Sequence, residues 1–287
     1  MIFVIYNKNY VYLRIKSMWK MSELAKRTVF GSLFVIVVIG SILLDFYAFL
    51  LVMLATVFIG SEEVGLLMTR DGRHDNKLIV AVLASLFFLF SVVFCPISHI
   101  ILLILLLVPF LLALFSKKHS FAEMAASCWT SMFFVALPCV LMMKMYRNAP
   151  IATIEGKYLI ITLFCLIWIN DIFAYLTGIT IGRHKLFERI SPKKTIEGSL
   201  GGLVMTAVFA FLANHYLLHI MQDWKMMGLA AVVVVFGSLG DLCESMMKRQ
   251  AGVKDSGNLI PGHGGILDRF DATFLSVPFV YCYLILL

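Results

Sequence analysis

Acids and bases of this chain crowd into one short stretch. Asp241, Glu244, Ser245 and Lys248 stand at i, i+3, i+4 and i+7, the spacing that puts four side chains on one face of a helix. Glu244 and Lys248 make an ordinary i,i+4 pair, which leaves Asp241, about a turn deeper, in need of another partner. Asp255, Asp268 and Asp271 follow, and the i, i+3 spacing of the last two sets them side by side on a short helix. Carboxylates gathered without matching cations attract a divalent ion, and hard oxygen donors favour Mg²⁺ over zinc. The expected metal ligands are Asp241, Asp268 and Asp271.

Three further segments carry polar groups suited to phosphate. In Pro261-Gly262-His263-Gly264-Gly265 the glycines allow positive φ and close approach of the backbone to an anion. His263, with no second His or Cys nearby, suits a hydrogen bond to phosphate or a structural role better than zinc. Ser191-Pro192-Lys193-Lys194-Thr195 offers two adjacent lysines between hydroxyls, fit for a triphosphate, although a topogenic basic loop looks the same. Thr195 and Glu197 also suit the cap and first turn of the following helix. The order G-x-x-x-x-G-K-[ST] of a P-loop is absent. Asp171 lies within an apolar run beside Asn170 and one turn from Tyr175, and an acid in such a place is a functional candidate by default. Gly178 and Gly182 allow a neighbouring helix or loop to approach closely.

The elements that must position these groups are membrane helices. Of 287 residues, 61% are hydrophobic and 14% charged, with a mean hydropathy of +0.94, where soluble domains carry about 25% charge. The expected fold is all-α, a polytopic bundle of about nine spans near 28–44, 46–68, 78–94, 97–115, 121–143, 158–178, 199–220, 226–247 and 272–287. Asp45 forms a tight turn between the first two, and the last span is short enough to begin earlier. With the N-terminus in the cytosol and the C-terminus outside, only Lys144, Arg147, Lys157 and Lys225 of the 24 Lys/Arg fall outside. Residues 1–27 read as a basic cytosolic tail, 28–157 as a helical scaffold without a motif, and 158–287 as the half that does the chemistry. A net charge of +7 without a solvated basic domain points to lipid headgroups and phosphates, not nucleic acid. The six cysteines form no C-x-x-C and read as free thiols in apolar runs.

Together these residues resemble a known family. Ser245-x-x-Lys248-Arg249, Lys254-Asp255, Pro261 to Gly265 and Asp268-Arg269-x-Asp271 span 27 positions and are similar to the signature of phosphatidate cytidylyltransferases, also called CDP-diacylglycerol synthases. Ser191–Gly198, Gly240–Ser245 and Ala174–Leu186 resemble the family too, and strong resemblance covers residues 168–271. Many members have Asp-Thr-Gly-Ala-Tyr where this chain has Asp171-Ile172-Phe173-Ala174-Tyr175, so Asp171 fills the Asp position and Phe173 departs from the pattern.

The resemblance implies an Mg²⁺-dependent transfer, with two divalent ions, of CMP from CTP to phosphatidate. It also implies a site facing the cytosol from a bacterial inner membrane; a homodimer is left open. Lys193 and Lys194 with Ser191 and Thr195 would hold the triphosphate against the glycine segment. Lys248, Arg249 and Arg269 would meet the lipid phosphate, Lys254, Asp255 and His263 would complete the signature, and Asp171 would contribute from deeper in the bundle. An ion-coupled transporter, or a CTP-dependent enzyme acting on another lipid, are the alternative readings; the first leaves the lysine pair and the glycines unexplained.

Overall fold

A computed structural model describes residues 2–7, 10–15, 23–68, 76–93, 98–116, 120–148, 155–259 and 264–287. Among the described residues run nine helical rods: α1 Glu23–Leu44, α2 Phe46–Met68, α3 Lys77–Val93, α4 Ser98–Phe115, α5 Phe121–Arg147, α6 Gly156–Ile181, α7 Ile196–Leu218, α8 Asp223–Gln250 and α9 Leu267–Leu286. Six of them (α2 and α5 to α9) are long and apolar enough to cross a membrane. The apolar parts of α1, α3 and α4 are shorter, and a 17-residue helix such as α3 still rises about 25 Å at 1.5 Å per residue. The chain is therefore a helical membrane bundle. Its expected segments match the observed rods closely. The largest shifts are at the starts of α1 and α9, each five residues before the expected 28 and 272; at α9 the signature itself forms the first turn. The expected turn at Asp45 is the N-cap of α2: its Oδ1 accepts the Ala48 N–H at 2.7 Å.

Two small hairpins accompany the helices of this all-α fold. β1 (Ile2–Asn7) pairs antiparallel with β2 (Tyr10–Ile15) in the segment expected to be a tail. Both runs are rich in β-branched and aromatic residues around a polar break, a pattern that favours strands. β3 (Lys185–Phe187) pairs with β4 (Ser191–Thr195), so the lysine pair stands on a strand and not in an open loop.

Helices α6, α7, α8 and α9 pack in chain order, and small residues decide how closely. A Cβ on Gly198 of α7 would come 2.7 Å from the Ala174 carbonyl of α6, and one on Gly240 of α8 would come 2.5 Å from the Asp271 carbonyl of α9. Without side chains the backbones approach until polar groups on neighbouring helices meet. The C-terminal helix α9 also joins the two halves of the chain. Phe270 stacks on Phe274, edge contacts run from Phe270 to Phe34 of α1 (5.6 Å) and Phe164 of α6 (6.2 Å), and a tilted contact joins Phe274 to Phe134 of α5 (5.8 Å). The buried core spreads from there through Met132, Val57, Met53 and Phe88.

Polar contacts join helix ends at both ends of the C-terminal helices. Hairpin β3–β4, the loop after α8 and the α2–α3 end meet through Arg249 with Ile190 and through Glu63 with Ser256. At the opposite end Tyr283 donates to the Lys225 carbonyl at 2.9 Å, and Asp223 accepts from Asn214 at 2.7 Å.

A recessed carboxylate site between two cavities

Asp241 lies nine residues before the end of α8 and Asp171 ten before the end of α6, so both sit about 14 Å inside those helix ends at 1.5 Å per residue. They border one cavity of about 560 Å³ between α6, α7, α8 and β4. Its polar lining includes Lys185, Lys193, Lys194 and Thr195 from the hairpin. Thr195 is the N-cap of α7, accepting the Gly198 N–H at 3.1 Å, so the strand is anchored where the lysines leave it. Lys194 turns inward and donates to Asp241, while Lys193 remains exposed. Ser245, one turn on from Asp241, donates to its other oxygen at 3.2 Å.

Glu244 and Asp271 meet Asp241 here: one carboxylate oxygen from each lies within 4.8 Å of the others. Glu244 is 0% exposed, and its Oε1 has no hydrogen-bond partner. Its Oε2 lies 2.5 Å from Lys248 Nζ, an ion pair by distance but outside hydrogen-bond geometry. Three converging carboxylates with an orphaned buried oxygen fit a hard divalent cation, whose coordination would satisfy that oxygen.

This set differs from the expected ligands. Asp268 is not in it, because both of its oxygens are occupied. Oδ1 accepts from Lys248 at 2.6 Å, and Oδ2 accepts from Ser256 N at 2.9 Å, Ser256 Oγ at 3.0 Å and Gly265 N at 2.8 Å. The i, i+3 spacing sets Asp268 and Asp271 side by side on α9, but Asp268 turns to the loop and Asp271 to Asp241. Glu244 takes the third place. Its spacing from Asp241 was legible in the sequence, but the pairing with Lys248 masked it.

The remaining candidates separate into cavity, mouth and frame. Arg269 is exposed and lines a second cavity of about 430 Å³ with Asp171, Asp268 and Asp271, walled by Phe34 and Val35 of α1 and Ile167 and Trp168 of α6. Asp171 borders both cavities and is exposed to them, not buried away from the others as its place in an apolar run suggests. Lys248 is buried between Glu244 and Asp268 instead of facing lipid phosphate. Arg249 donates to the carbonyls of Val253 at 3.3 Å and Ile190 at 3.5 Å, tying loop to hairpin. Glu197 accepts the N–H groups of Arg183 (3.0 Å) and His184 (3.1 Å) and lies 2.5 Å from His184 Nδ1, closing the hairpin. Ser191 pairs with Phe187 at the far end of the hairpin and is not among the described residues lining either cavity. Lys254 and Asp255 are exposed on the loop.

Gly262 and His263 lie outside the described residues. Gly264 adopts φ +85°, the left-handed region where glycine is favoured. The Gly265 N–H, expected to face an anion, is donated to Asp268. The close approach of Gly264 and Gly265 is therefore to protein carboxylates. The five described cysteines, Cys128, Cys139, Cys165, Cys243 and Cys282, are free thiols as expected.

One acid of the site carries no mark in the sequence. Glu63 of α2, in the half that shows no motif, accepts from Ser256 Oγ at 2.7 Å and from the N–H groups of Ile266 and Leu267, both at 2.9 Å. Nothing local marks it. The adjacent Glu62 pairs with Lys77 at 2.5 Å, which makes Glu62-Glu63 look like an ordinary helix end.

Comparison with known proteins agrees with the motifs. Over 170 residues, 59% of this chain, it is 40% identical to a phosphatidate cytidylyltransferase of Staphylococcus aureus (strain COL). Over the same share it is 38% identical to one of Staphylococcus haemolyticus and 39% to one of Staphylococcus epidermidis. The chain spans 63% of the length of these curated relatives, a little under two thirds. The cytidylyltransferase family profile matches residues 25–287, and the chain belongs to that family.

Proposed function

We propose that this chain is a phosphatidate cytidylyltransferase, transferring CMP from CTP to phosphatidate to give CDP-diacylglycerol and pyrophosphate. The observation that carries this reading is the position of the carboxylate cluster. Asp241 belongs to the lysine-bearing cavity, Asp271 to the cavity of Arg269, and the two cavities meet at Asp171. That layout suits two anionic substrates arriving from different sides. CTP enters the first cavity with its phosphates against Lys193, Lys194 and Lys185. Phosphatidate enters the second, its phosphate near Arg269 and its tails along the apolar walls of α1 and α6.

The phosphatidate oxygen forms a bond to the α-phosphorus of CTP as the bond to pyrophosphate breaks. The nucleophile is already an anion, so no strong general base is required. The barrier lies in charge repulsion and alignment. Mg²⁺, with Asp241, Glu244 and Asp271 as its protein ligands, would neutralise phosphate charge and align the reacting groups. Lys194, already donating to Asp241, is placed to follow charge that builds on the triphosphate. Arg269 holds the lipid phosphate beside it.

Two divalent ions and a homodimer remain compatible with this reading. The catalytic half is 158–287, the scaffold 28–157, and the segment 1–27 a cytosolic appendage. With nine spans, the Lys/Arg distribution supports an N-terminus in the cytosol, a C-terminus outside and a site on the cytosolic side of a bacterial inner membrane, where CTP is available. The 170-residue match to proteins of that name and the cytidylyltransferase family membership support the chemistry.

Purified protein in detergent, given labelled CTP, phosphatidate and Mg²⁺, should form CDP-lipid and pyrophosphate in equal amounts. Preference for a polyprenol phosphate or another lipid phosphate in competition would replace phosphatidate as substrate. Absence of nucleotide turnover would reject the reading. Lys194→Ala should raise the KM for CTP about ten-fold or more, with a smaller change for phosphatidate, as measured by steady-state kinetics; a change in yield alone would make the lysine topogenic. A cysteine replacing Asn258, in a background without native cysteines, should react with an impermeant thiol reagent only from the cytosolic face. Labelling from outside would reverse the topology.

A further inference from the structure

We propose that Glu63 is a positioning residue for the transfer site, holding the loop after α8 and the first turn of α9 in register from the scaffold half of the chain. Glu63 is 4% exposed, and among the described residues no cation pairs with it. Its acceptors are met by N–H and O–H donors: Ile266 N on Oε1, Leu267 N and Ser256 Oγ on Oε2. These include orphan N–H groups at the start of α9, whose own N-cap position, Ile266, supplies no side-chain acceptor. The helix that carries Asp271 is thus capped by a residue of α2, and a carboxylate is the favoured partner for the positive end of a helix.

The contacts continue inward. Ser256 Oγ lies between Glu63 Oε2 at 2.7 Å and Asp268 Oδ2 at 3.0 Å. Its one proton serves one of these two carboxylates at a time, and its backbone N–H holds Asp268 at 2.9 Å. Asp268 holds Lys248, and Lys248 pairs with Glu244 of the carboxylate cluster. Leu267, whose N–H Glu63 accepts, is one helical turn before Asp271. Two cluster members, Glu244 and Asp271, therefore depend on where Glu63 holds the loop.

The glycines of the loop fit the same role. A Cβ on Gly257 would lie 2.6 Å from Glu63 Oε1 and 3.0 Å from its Cδ, and all three of its nearest atoms belong to Glu63. A Cβ on Gly265 would meet both carboxylate oxygens of Glu63 and Ser256 Oγ. A side chain at either position would have to displace the Glu63 carboxylate, which three hydrogen bonds hold in place.

The test is a double-mutant cycle in the full chain in detergent, with Glu63→Ala, Gly257→Ala and both together. Tryptic cleavage after Lys254, exposed on the loop, reads loop release. The kinetic arm rests on the activity proposed above; the cleavage arm does not. Gly257→Ala alone should speed cleavage at least five-fold and lower kcat at least ten-fold. The KM for CTP should change less than three-fold, because its lysines stand on the hairpin. Glu63→Ala should do the same, and the double variant should be no worse than Glu63→Ala, since alanine at 63 vacates the space the new methyl group needs. Should Glu63→Ala fail to fold, Glu63→Asp, one methylene shorter, completes the cycle. Effects that multiply in the double variant, or wild-type cleavage and kcat in Glu63→Ala, would overturn the proposal. A wild-type protein that makes no CDP-lipid would reject the activity alone, while coupling between positions 63 and 257 in the cleavage rates would still decide the role of Glu63.

Discussion

Asp241→Asn should lower kcat at least a hundred-fold while helix content and thermal midpoint stay close to those of the wild type. Asp241 meets Glu244 and Asp271 within 4.8 Å and also accepts from Lys194 and Ser245. Asparagine keeps the shape and one acceptor oxygen, so the local packing survives. It removes one of the three negative charges that would hold a cation, and it turns an N–H₂ group toward either Lys194 or the cluster. Two effects should therefore appear together: weaker Mn²⁺ binding, measured as free ion by electron paramagnetic resonance, and lost turnover. Asp271→Asn should behave alike. Asp268→Asn should differ, since Asp268 binds loop and Lys248 and has no place in the cluster; its loss should first raise susceptibility to protease after Lys254. Wild-type Mn²⁺ binding in Asp241→Asn would remove Asp241 from the metal site.

Lys248→Met should cost on the order of 3–5 kcal/mol of stability, the range for breaking a buried ion pair by removing one partner. Lys248 lies 2.5 Å from Glu244 and 2.6 Å from Asp268, and the side-chain exposures of the three are 11%, 0% and 7%. Methionine keeps most of the stem and its packing. It leaves two buried carboxylates facing each other with no cation between them. The expected readout is a lower thermal midpoint in detergent together with lost activity. Adding Asp268→Asn should restore part of the midpoint, because asparagine can still accept from Ser256 and Gly265 without carrying charge. No recovery in the double variant would mean that packing, not charge, sets the loss.

The sequence alone determined the class of the protein and most of its rods. Apolar runs of about twenty residues must be helices in a membrane, since lipid offers no partner for backbone N–H and C=O groups. Local spacing also determined that Asp241, Glu244, Ser245 and Lys248 share a face, because helical periodicity is a short-range property. The contacts Ser245 to Asp241 and Lys248 to Glu244 follow from it.

Tertiary structure decided which acids meet. Asp268 and Asp271 are alike in sequence, yet one turns to Ser256 and Gly265 and the other to Asp241, according to how α9 is rotated against α8 at Gly240. Lys193 and Lys194 are adjacent, and only the pairing of β3 with β4 beside α8 brings Lys194 onto Asp241. Glu63 lies about two hundred residues from its partners and carries no local pattern. Its role exists only because α2 packs beside the start of α9, a long-range contact that no spacing along the chain encodes.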